Sequence, residues 1–505
     1  MAYGYRPVVR DQPFLLPPDL REWLPAGHLA WFVIDAVESL DLSRFPVRSA
    51  AGPAGRAAYD PRMLLALLVY GYARGLRSSR KIERACGEDV AFRVICAQDP
   101  PDHATIARFR RHWFADGEAM GAVFTQVLQI AARAGLGRLG LVAVDGTKIA
   151  ANASKDANRT REKLAELAAR MLAEAEAADA AEDALFGGER GDEVPAELAD
   201  PVTRRERIAA AAAQLDAERA AVEAAAARQA ARVVAAEREV ARRVAAQQAK
   251  AEDWDRRKAG PGPAPRGPRP VEPERYVRVR EATTRLAKAK ARAAVPPGRR
   301  KKDAAGKKTT GPVANITDPH SHLMPVRGGG FIQGYNGQAA RSGDGLILAV
   351  LVTTQTTDYA SFGPLLDQIQ QASDLLRAHA RGPLHRKRAR TGTALADTGY
   401  LSEDNLTCPG PDRLIATGRR HGGRHGGRRL GPHGTAMAAR LAEAPAAATY
   451  RQRAPIIETA FGHRKHNLGF RRFSMRGLPR VSGEWTFAAA VDNLTKIHAT
   501  GWQPA

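Results

Sequence analysis

Between residues 155 and 312 the chain all but stops using large apolar side chains. This constrains the fold more than any other feature, because a segment that cannot bury a core of its own must lie beside one. The stretch AELAARMLAEAEAADAAEDAL and the longer run RRERIAAAAAQLDAERAAVEAAAARQAARVV are made of Ala, Glu and Arg. These are strong helix formers. Sparse Leu and Val at near-heptad spacing suit a helical hairpin or coiled coil. FGGERGDEVP and the Pro-rich AGPGPAPRGPRPVEPE break the pattern, and the basic run PPGRRKKDAAGKK closes it. Residues 155–312 are therefore expected to be a helical insertion with a Pro-rich linker. The globular part must be assembled from the sequence on either side.

On the N-terminal side, Asp60-Pro61 is a good helix start, with Asp as cap and Pro in the first turn. PRMLLALLVYGYARG is expected to be helical and to end at Gly75. SSRKIERAC, EDVAFRVIC and DHATIARFRRHWF follow as shorter helices, the last with Thr105 as a candidate cap. Arg108, Arg110, Arg111 and His112 on that last helix fit a helix-turn-helix arrangement. They fit a plain helical bundle with a solvated basic face equally well. One more helix is expected over 117–135.

The periodicity then changes. LGLVAV is a short apolar run that reads as a buried strand with Asp145 at its end. Beyond the insertion, GYNGQAARSGDGLILAVLVTT reads as a β-hairpin, and YASFGPLLDQIQQASDLLRAHA as an amphipathic helix. TALAD is a strand ending in Asp397, RLIATG another, and GEWTFAAAVDNLTKIHA a helix. Strands and helices alternate around 140–154 and 335–490. The expected fold is an α/β core, with a helical domain in front and a helical segment inserted.

Charge narrows the partner. With 77 Lys and Arg against 54 Asp and Glu, the net charge is +23. That favours a polyanion, of which nucleic acid is the commonest, because neutralised phosphates release counterions. A membrane is disfavoured: no run of about 18 apolar residues is present. The Ala-rich helices also lack the bulky apolar face of an interfacial helix. The N-terminal MAYGYRPVVRDQPF lacks the apolar core of a signal peptide. Cys86, Cys96 and Cys408 show no metal-type spacing, and so sparse and odd a count fits a reducing cytoplasm.

Three acids stand out. Asp145 and Asp397 follow strands, where side chains reach the carboxyl edge of an α/β sheet. Glu458 is the one acid between Glu443 and Glu484, a stretch crowded with Arg, Lys and His. Carboxylates gathered together repel unless a cation neutralises them. Oxygen ligands select a hard ion such as Mg2+ or Mn2+. Two such ions can clamp the attacking and leaving oxygens of a phosphoryl displacement. A local ion pair for Glu458 is the bland alternative, and with 54 acids in the chain the pattern alone does not single out this triplet.

Several motifs, in order, resemble the DDE transposases of bacterial insertion sequences, which have a ribonuclease H-like catalytic domain. VAVDGTKIAANAS looks like the strand of the first catalytic Asp, and NITDPHSHLM with GYNGQAA like the segment that re-enters the core. ALADTGY looks like the strand of the second Asp. YRQRAPIIETAFGHRK looks like the signature around the catalytic Glu. YDPRMLLALLVYGYARGLRSSRKIE resembles the helical domain that precedes the core in that group. The resemblance covers about 1–155 and 313–500 and does not inform the Ala-rich middle.

It implies a helical DNA-binding-type domain over 1–135 and a ribonuclease H-like mixed sheet with flanking helices over 136–154 and 313–500. The 155–312 insertion then falls between the first and second Asp. It implies Asp145, Asp397 and Glu458 as catalytic and metal-binding residues for two Mg2+ or Mn2+ ions. Tyr450, Arg453 and Lys465 fill the remaining signature positions, with Arg464, Arg471 and Arg472 beside them on DNA. Lys465 is expected two helical turns beyond Glu458 on the same face. The implied activity is cleavage and transfer of double-stranded DNA at the terminal inverted repeats, by a homodimer or larger assembly on the nucleoid. A decayed DNA-binding copy, a nuclease of the same fold and a structural DNA-binding protein are the alternatives.

Two departures from the family pattern are present. Arg453 is separated from Glu458 by four residues rather than three, and His320 and His322 stand where Asp and Arg are usual. Elsewhere, His421, His425 and His433 lie in a Gly-rich basic loop that suits DNA better than a metal cage. Tyr335 and Gln338 either face the site or lie on the hairpin surface. Trp485 is expected in the core, Asp344 in a turn, and Asp358 as a helix cap.

Overall fold

A computed structural model describes residues 19–43, 58–167, 169–170, 201–263, 265–294, 313–326, 329–418, 420–421, 424–425 and 430–504. MLAEAEAADAAEDAL, FGGERGDEVP, PPGRRKKDAAGKK and MAYGYRPVVRDQPF lie outside the described residues. The chain divides into two compact units, 1–157 with 317–505, and 158–316.

The first unit is built on a mixed six-stranded sheet. Its strands are β1 (Leu141–Ala150), β2 (His322–Pro325), β3 (Phe331–Ser342), β4 (Ile347–Thr353), β5 (Thr393–Ala396) and β6 (Asp412–Ile415). The path runs β2-β3-β1-β5-β6, with β4 also pairing β3. β1 is antiparallel to β3 and parallel to β5, and β5 is parallel to β6. The short parallel strands TALA and DRLI are largely buried, as strands covered on both faces must be. SGDG closes the β3–β4 hairpin, where Asp344 accepts hydrogen bonds from the Gly137 and Arg138 amides at 2.8 and 3.0 Å.

β1 is longer than its apolar run suggests. It continues through Asp145 to Ala150, pairing Gly334–Ser342 of β3 along its whole remaining length. Asp145 therefore lies at the end of the β1–β5 pairing but in the middle of β1. Polar GTK stays extended because β3 supplies a hydrogen-bonding edge for it. The closest approach needs a glycine: a Cβ on Gly334 would stand 2.3 Å from the Ile149 carbonyl oxygen.

The helix Leu478–His498 covers one face. Trp485, 1% exposed, packs its ring 3.2 Å from where a Gly337 Cβ would be and donates to the Gln338 carbonyl at 2.9 Å. Phe461, Phe470 and Phe473 surround it. Trp485 is a core residue. The helix Phe362–His379 packs against β4.

The N-terminal helices share the same hydrophobic core. Pro61–Ala73 starts as expected, with the Asp60 carboxylate accepting from the Arg62 amide, and Gly75 follows with φ +76°. Ser79–Glu88, Val90–Ile95, His103–Ala115 and Gly117–Arg133 follow. The cap of His103–Ala115 is Asp102, not Thr105: its carboxylate takes both the Thr105 amide and hydroxyl, each at 2.8 Å. Arg110 is turned inward, donating to the Arg77 carbonyl, while Arg108, Arg111 and His112 are exposed.

One buried carboxylate joins these helices to the end of the chain. Glu484 is fully buried on Leu478–His498 and accepts from the Tyr72 hydroxyl, both donors of Ser474 and the Met475 amide. Arg77 lies 3.6 Å away, donates to the Gly469 and Arg472 carbonyls, and covers the Phe470 ring.

The second unit holds a 59-residue helix, Pro201–Ala259, packed against Val277–Ala293. Its apolar contacts are few, with Leu164, Ile208, Ala211, Leu215 and Ala314 forming a small cluster. Paired two-residue strands, Asn158–Arg159 and Ala314–Asn315, bring its two ends together. Among the described residues no helix is long and apolar enough to cross a membrane.

Candidate active site

Val144 of β1 pairs with Ala396 of β5 in parallel register. The next residues, Asp145 and Asp397, thus leave neighbouring strands side by side, roughly one strand spacing of about 5 Å apart. Asp397 turns into Thr398–Tyr400, its carboxylate accepting from the Gly399 amide at 2.8 Å. Asp145 accepts from the Gly146 amide at 2.8 Å. Burial, and then the charge of Asp397, push the Asp145 carboxyl up to about 6, while Arg453 opposes the rise.

Glu458 stands in the middle of the helix Arg453–Gly462. It is 56% exposed and reaches Asp145 through Arg453, whose guanidinium gives Nη1 to Asp145 at 3.1 Å and Nη2 to Glu458 at 2.9 Å. The extra residue between Arg453 and Glu458 does not remove Arg453 from the site. Arg453 is the cation that links two of the three acids. Tyr450 sits beside it, donating to the Ala396 carbonyl at 3.3 Å, immediately before Asp397. Burial pushes the Tyr450 phenol up.

Lys465 reaches the site by a different route from the one spacing suggests. The α-helix ends at Gly462, and His463–Asn467 form a π turn. A wider turn breaks the face-to-face spacing of an ideal helix. Lys465 donates to the Lys148 carbonyl of β1 at 3.1 Å. Its ammonium is held below the usual range by burial first and Arg471 second, with Asp145 opposing. Arg464 is corrected outright. It is 4% exposed, paired with Asp492 and stacked 4.3 Å over Trp485, so it is a core cation and not a DNA-facing one. Arg471 and Arg472 are exposed. Arg471 is steered by the Lys465 carbonyl at 3.1 Å.

Asp358 holds the N-cap position of the turn Tyr359–Ser361, as expected, but its side chain makes no capping hydrogen bond. Its Oδ1 instead accepts from Asn336 at 2.6 Å, Gln338 at 2.7 Å and Lys148 at 3.2 Å. Gln338 is fully buried and accepts from the Tyr400 hydroxyl. Gln338 therefore faces the site region. Tyr335 is buried elsewhere, donating to Asp318 at 2.7 Å. Asn336, Lys148 and Tyr400 were not singled out from sequence. The one available signal was their place in the GYNGQAA, VDGTK and DTGY motifs.

Among the described residues no group of three His, Cys, Asp or Glu stands close enough to hold a metal ion. His320 is exposed, and its carbonyl meets the His322 ring at 3.0 Å. His433 lies at the start of the helix Pro432–Ala442, whose first amides are capped by Glu403. The side chains of His421 and His425 lie outside the described residues.

Comparison with known families gives two matches. Residues 18–112 match a family described as a transposase domain (DUF772), and residues 418–498 match one described as a transposase DDE domain. These two matches support an insertion-sequence DDE transposase. The second match contains Tyr450, Arg453, Glu458 and Lys465 of this chain, while Asp145 and Asp397 lie outside both. No curated protein and no solved structure matches the chain. Transposase domains imply DNA as the substrate.

Proposed function

We propose that this transposase binds the terminal inverted repeats of its own element and cuts them by metal-dependent attack on a phosphodiester. The freed 3′-hydroxyl then attacks target DNA at the same acids. The observation that carries this reading is the emergence of Asp145 and Asp397 side by side from adjacent parallel strands, with Glu458 tied to Asp145 through Arg453. The sheet order β4-β3-β1-β5-β6, with β3 alone antiparallel to β1, supports a ribonuclease H-like core over 136–154 and 313–500. On this reading 1–135 is a DNA-binding-type domain and 155–312 a helical insertion between the first two acids.

The residues fit hard divalent cations such as Mg2+ or Mn2+ by donor chemistry, all oxygen, and by adjacency of the two aspartates. Such ions, two by the family pattern, supply Lewis-acid activation of the attacking oxygen and neutralise charge on the phosphate. Asp145, Asp397 and Glu458 would hold them. Glu458 is exposed and free to turn inward once the Arg453 bridge is released. Lys465, Arg471 and Arg472 offer positive charge next to β1 for the phosphate backbone. Synapsis of two element ends calls for a dimer or larger assembly on DNA.

A second basic face supports the same partner. On the helix Val277–Ala293, Arg278, Arg280, Arg285, Lys288, Lys290 and Arg292 oppose a single acid, Glu281. Arg278, Arg285 and Arg292 recur every seven residues, about 10 Å apart along one exposed stripe. None of the three side chains has an acidic partner among the described residues, whereas Lys290 meets Glu237 at 2.8 Å. Unpaired charge in a row suits a phosphate backbone.

The test is cleavage of labelled DNA carrying the element's ends, with Mg2+ or Mn2+, by wild type and by Glu458→Ala. Cleavage that needs both the metal and Glu458 supports the reading. Equal DNA binding by both proteins with no cleavage by either would sink the mechanism and leave a DNA-binding protein.

A further inference from the structure

Asp145 and Asp397 are each followed closely by a glycine, Gly146 and Gly399. In both cases Asp358 is among the residues that fill the space a side chain would need. A Cβ on Gly146 would stand 2.3 Å from Nε2 of Gln338 and 2.7 Å from Oδ1 of Asp358, to which that amide is bonded. A Cβ on Gly399 would stand 3.0 Å from Oδ2 of Asp358 and 3.0 Å from Oδ1 of Asp397. One carboxylate thus packs against the backbone just beyond both aspartates.

The β1–β3 register explains how it gets there. Gly146 pairs with Gln338 and Lys148 with Asn336, so these four residues share one face of the sheet. Asp145 pairs with Ala339 and Thr147 with Gly337, and Gly337 is the residue on which Trp485 packs. Asp145 therefore faces the side covered by Leu478–His498. Asp358 enters from the opposite side, on the short turn that leads into Phe362–His379. The Asp145–Asp397 pair is flanked by Arg453 and Glu458 on one side and by Asp358 on the other.

We propose that Asp358 is a positioning residue of this active site, fixing the two aspartates relative to each other. Its Oδ1 gathers three donors: Lys148 of β1 and Asn336 and Gln338 of β3. Gln338 passes the connection to Tyr400, three residues after Asp397. Lys148 passes it to Lys465 through its carbonyl. Asp358 does not add to the repulsion between the acids, because Lys148, 17% exposed, stands 3.2 Å away as its counter-charge. A cap or loop anchor would use the carboxylate on nearby amides. Here it is used entirely on sheet residues that border the site. Partners that orient ligating carboxylates typically govern metal affinity by about 10–100-fold.

This inference rests on the metal-site reading above, and the experiment separates the two. Mn2+ binding to the full chain is measured by calorimetry, and backbone hydrogen exchange of the 397–401 segment is followed in the metal-free protein. Asp358→Ala is expected to weaken Mn2+ binding at least about tenfold and to speed exchange at 397–401, with the melting temperature changed little. Asp358→Asn keeps an acceptor for Asn336 and Gln338 and is expected to recover most of the affinity. Gly399→Ala places a methyl group between the two carboxylates and should reproduce the loss, which covers the case in which Asp358→Ala does not fold. Unchanged exchange at 397–401 in both Asp358→Ala and Gly399→Ala would overturn the proposal. So would an Asn variant as impaired as the Ala variant, which would make the charge itself the functional element. A wild type that binds no Mn2+ sinks the metal-site reading alone, since the exchange result still decides the role of Asp358.

Discussion

Arg453 holds Asp145 and Glu458 together without any metal, so it should compete with a metal for them. The perturbation is Arg453→Gln. The Glu458 half of the bridge contributes little, because Glu458 is 56% exposed. The buried half sets the size of the effect: Arg453 is 14% and Asp145 18% exposed. Deprived of its cation, Asp145 can take up a proton, and that escape bounds the cost. Its carboxyl is already pushed up to about 6, chiefly by burial. At pH 7 the ionised form is then favoured by about 1.4 kcal/mol, and at pH 8 by about 2.7 kcal/mol. The expected destabilisation is therefore at most about 1.4 kcal/mol at pH 7 and about 2.7 kcal/mol at pH 8, and nearly absent below pH 6. The sign follows from proton counting. A carboxyl raised in the folded state binds more protons there than in the unfolded chain, so stability falls as pH rises. In wild type this fall is complete near pH 6, and in the variant it continues to higher pH. The assay is urea unfolding at pH 5.5, 7 and 8, first with chelator and then with Mn2+. Mn2+ should stabilise the variant more than wild type, because it replaces the missing cation. A pH-independent difference, or equal stabilisation of both proteins by Mn2+, would refute the competition.

Three further predictions follow from single features. Replacing Arg278, Arg285 and Arg292 by Ala should lower the slope of log K against log salt for duplex binding by up to about 3; filter binding across a salt series checks it, and an unchanged slope would remove the stripe as a phosphate contact. Glu484→Ala strands the four donors and the Arg77 charge that converge on a fully buried carboxylate. It should cost about 3–5 kcal/mol in denaturant unfolding, and an effect under about 1 kcal/mol would remove Glu484 as the link between the N-terminal helices and the core. Trp485→Ala should cost about 3–5 kcal/mol as a core deletion, with DNA affinity of the folded fraction unchanged; a selective loss of affinity would show that the ring reaches the nucleic acid.

How much of this was legible in the sequence depends on whether a residue's role is set by its own segment. TALAD points to Asp397, because an apolar run this short, flanked by turn residues, reads as a buried strand that the acid must leave. Glu458 is visible as a lone acid in a basic stretch. The extent of β1 was not visible: polar GTK after VAVD looks like termination, and only β3, nearly two hundred residues later, keeps it extended. Arg464 and Lys465 are adjacent cations that local pattern cannot rank. The π turn and the placement of Asp492 and Trp485 send the first into the core and the second to β1. Asp358 was the hardest, since TTD before a helix has the form of a cap and its donors come from Lys148, Asn336 and Gln338. Two glycines in the recognised motifs nevertheless carry its trace. VDGT and DTGY each place a glycine just past a site aspartate, and neither has the positive φ that would call for glycine on backbone grounds. Glycine is needed at both because another group stands where the Cβ would be. At Gly146 it is the Gln338 amide together with the Asp358 carboxylate that binds it, and at Gly399 the carboxylates of Asp358 and Asp397, so the smallness of two residues records the presence of Asp358 beside both.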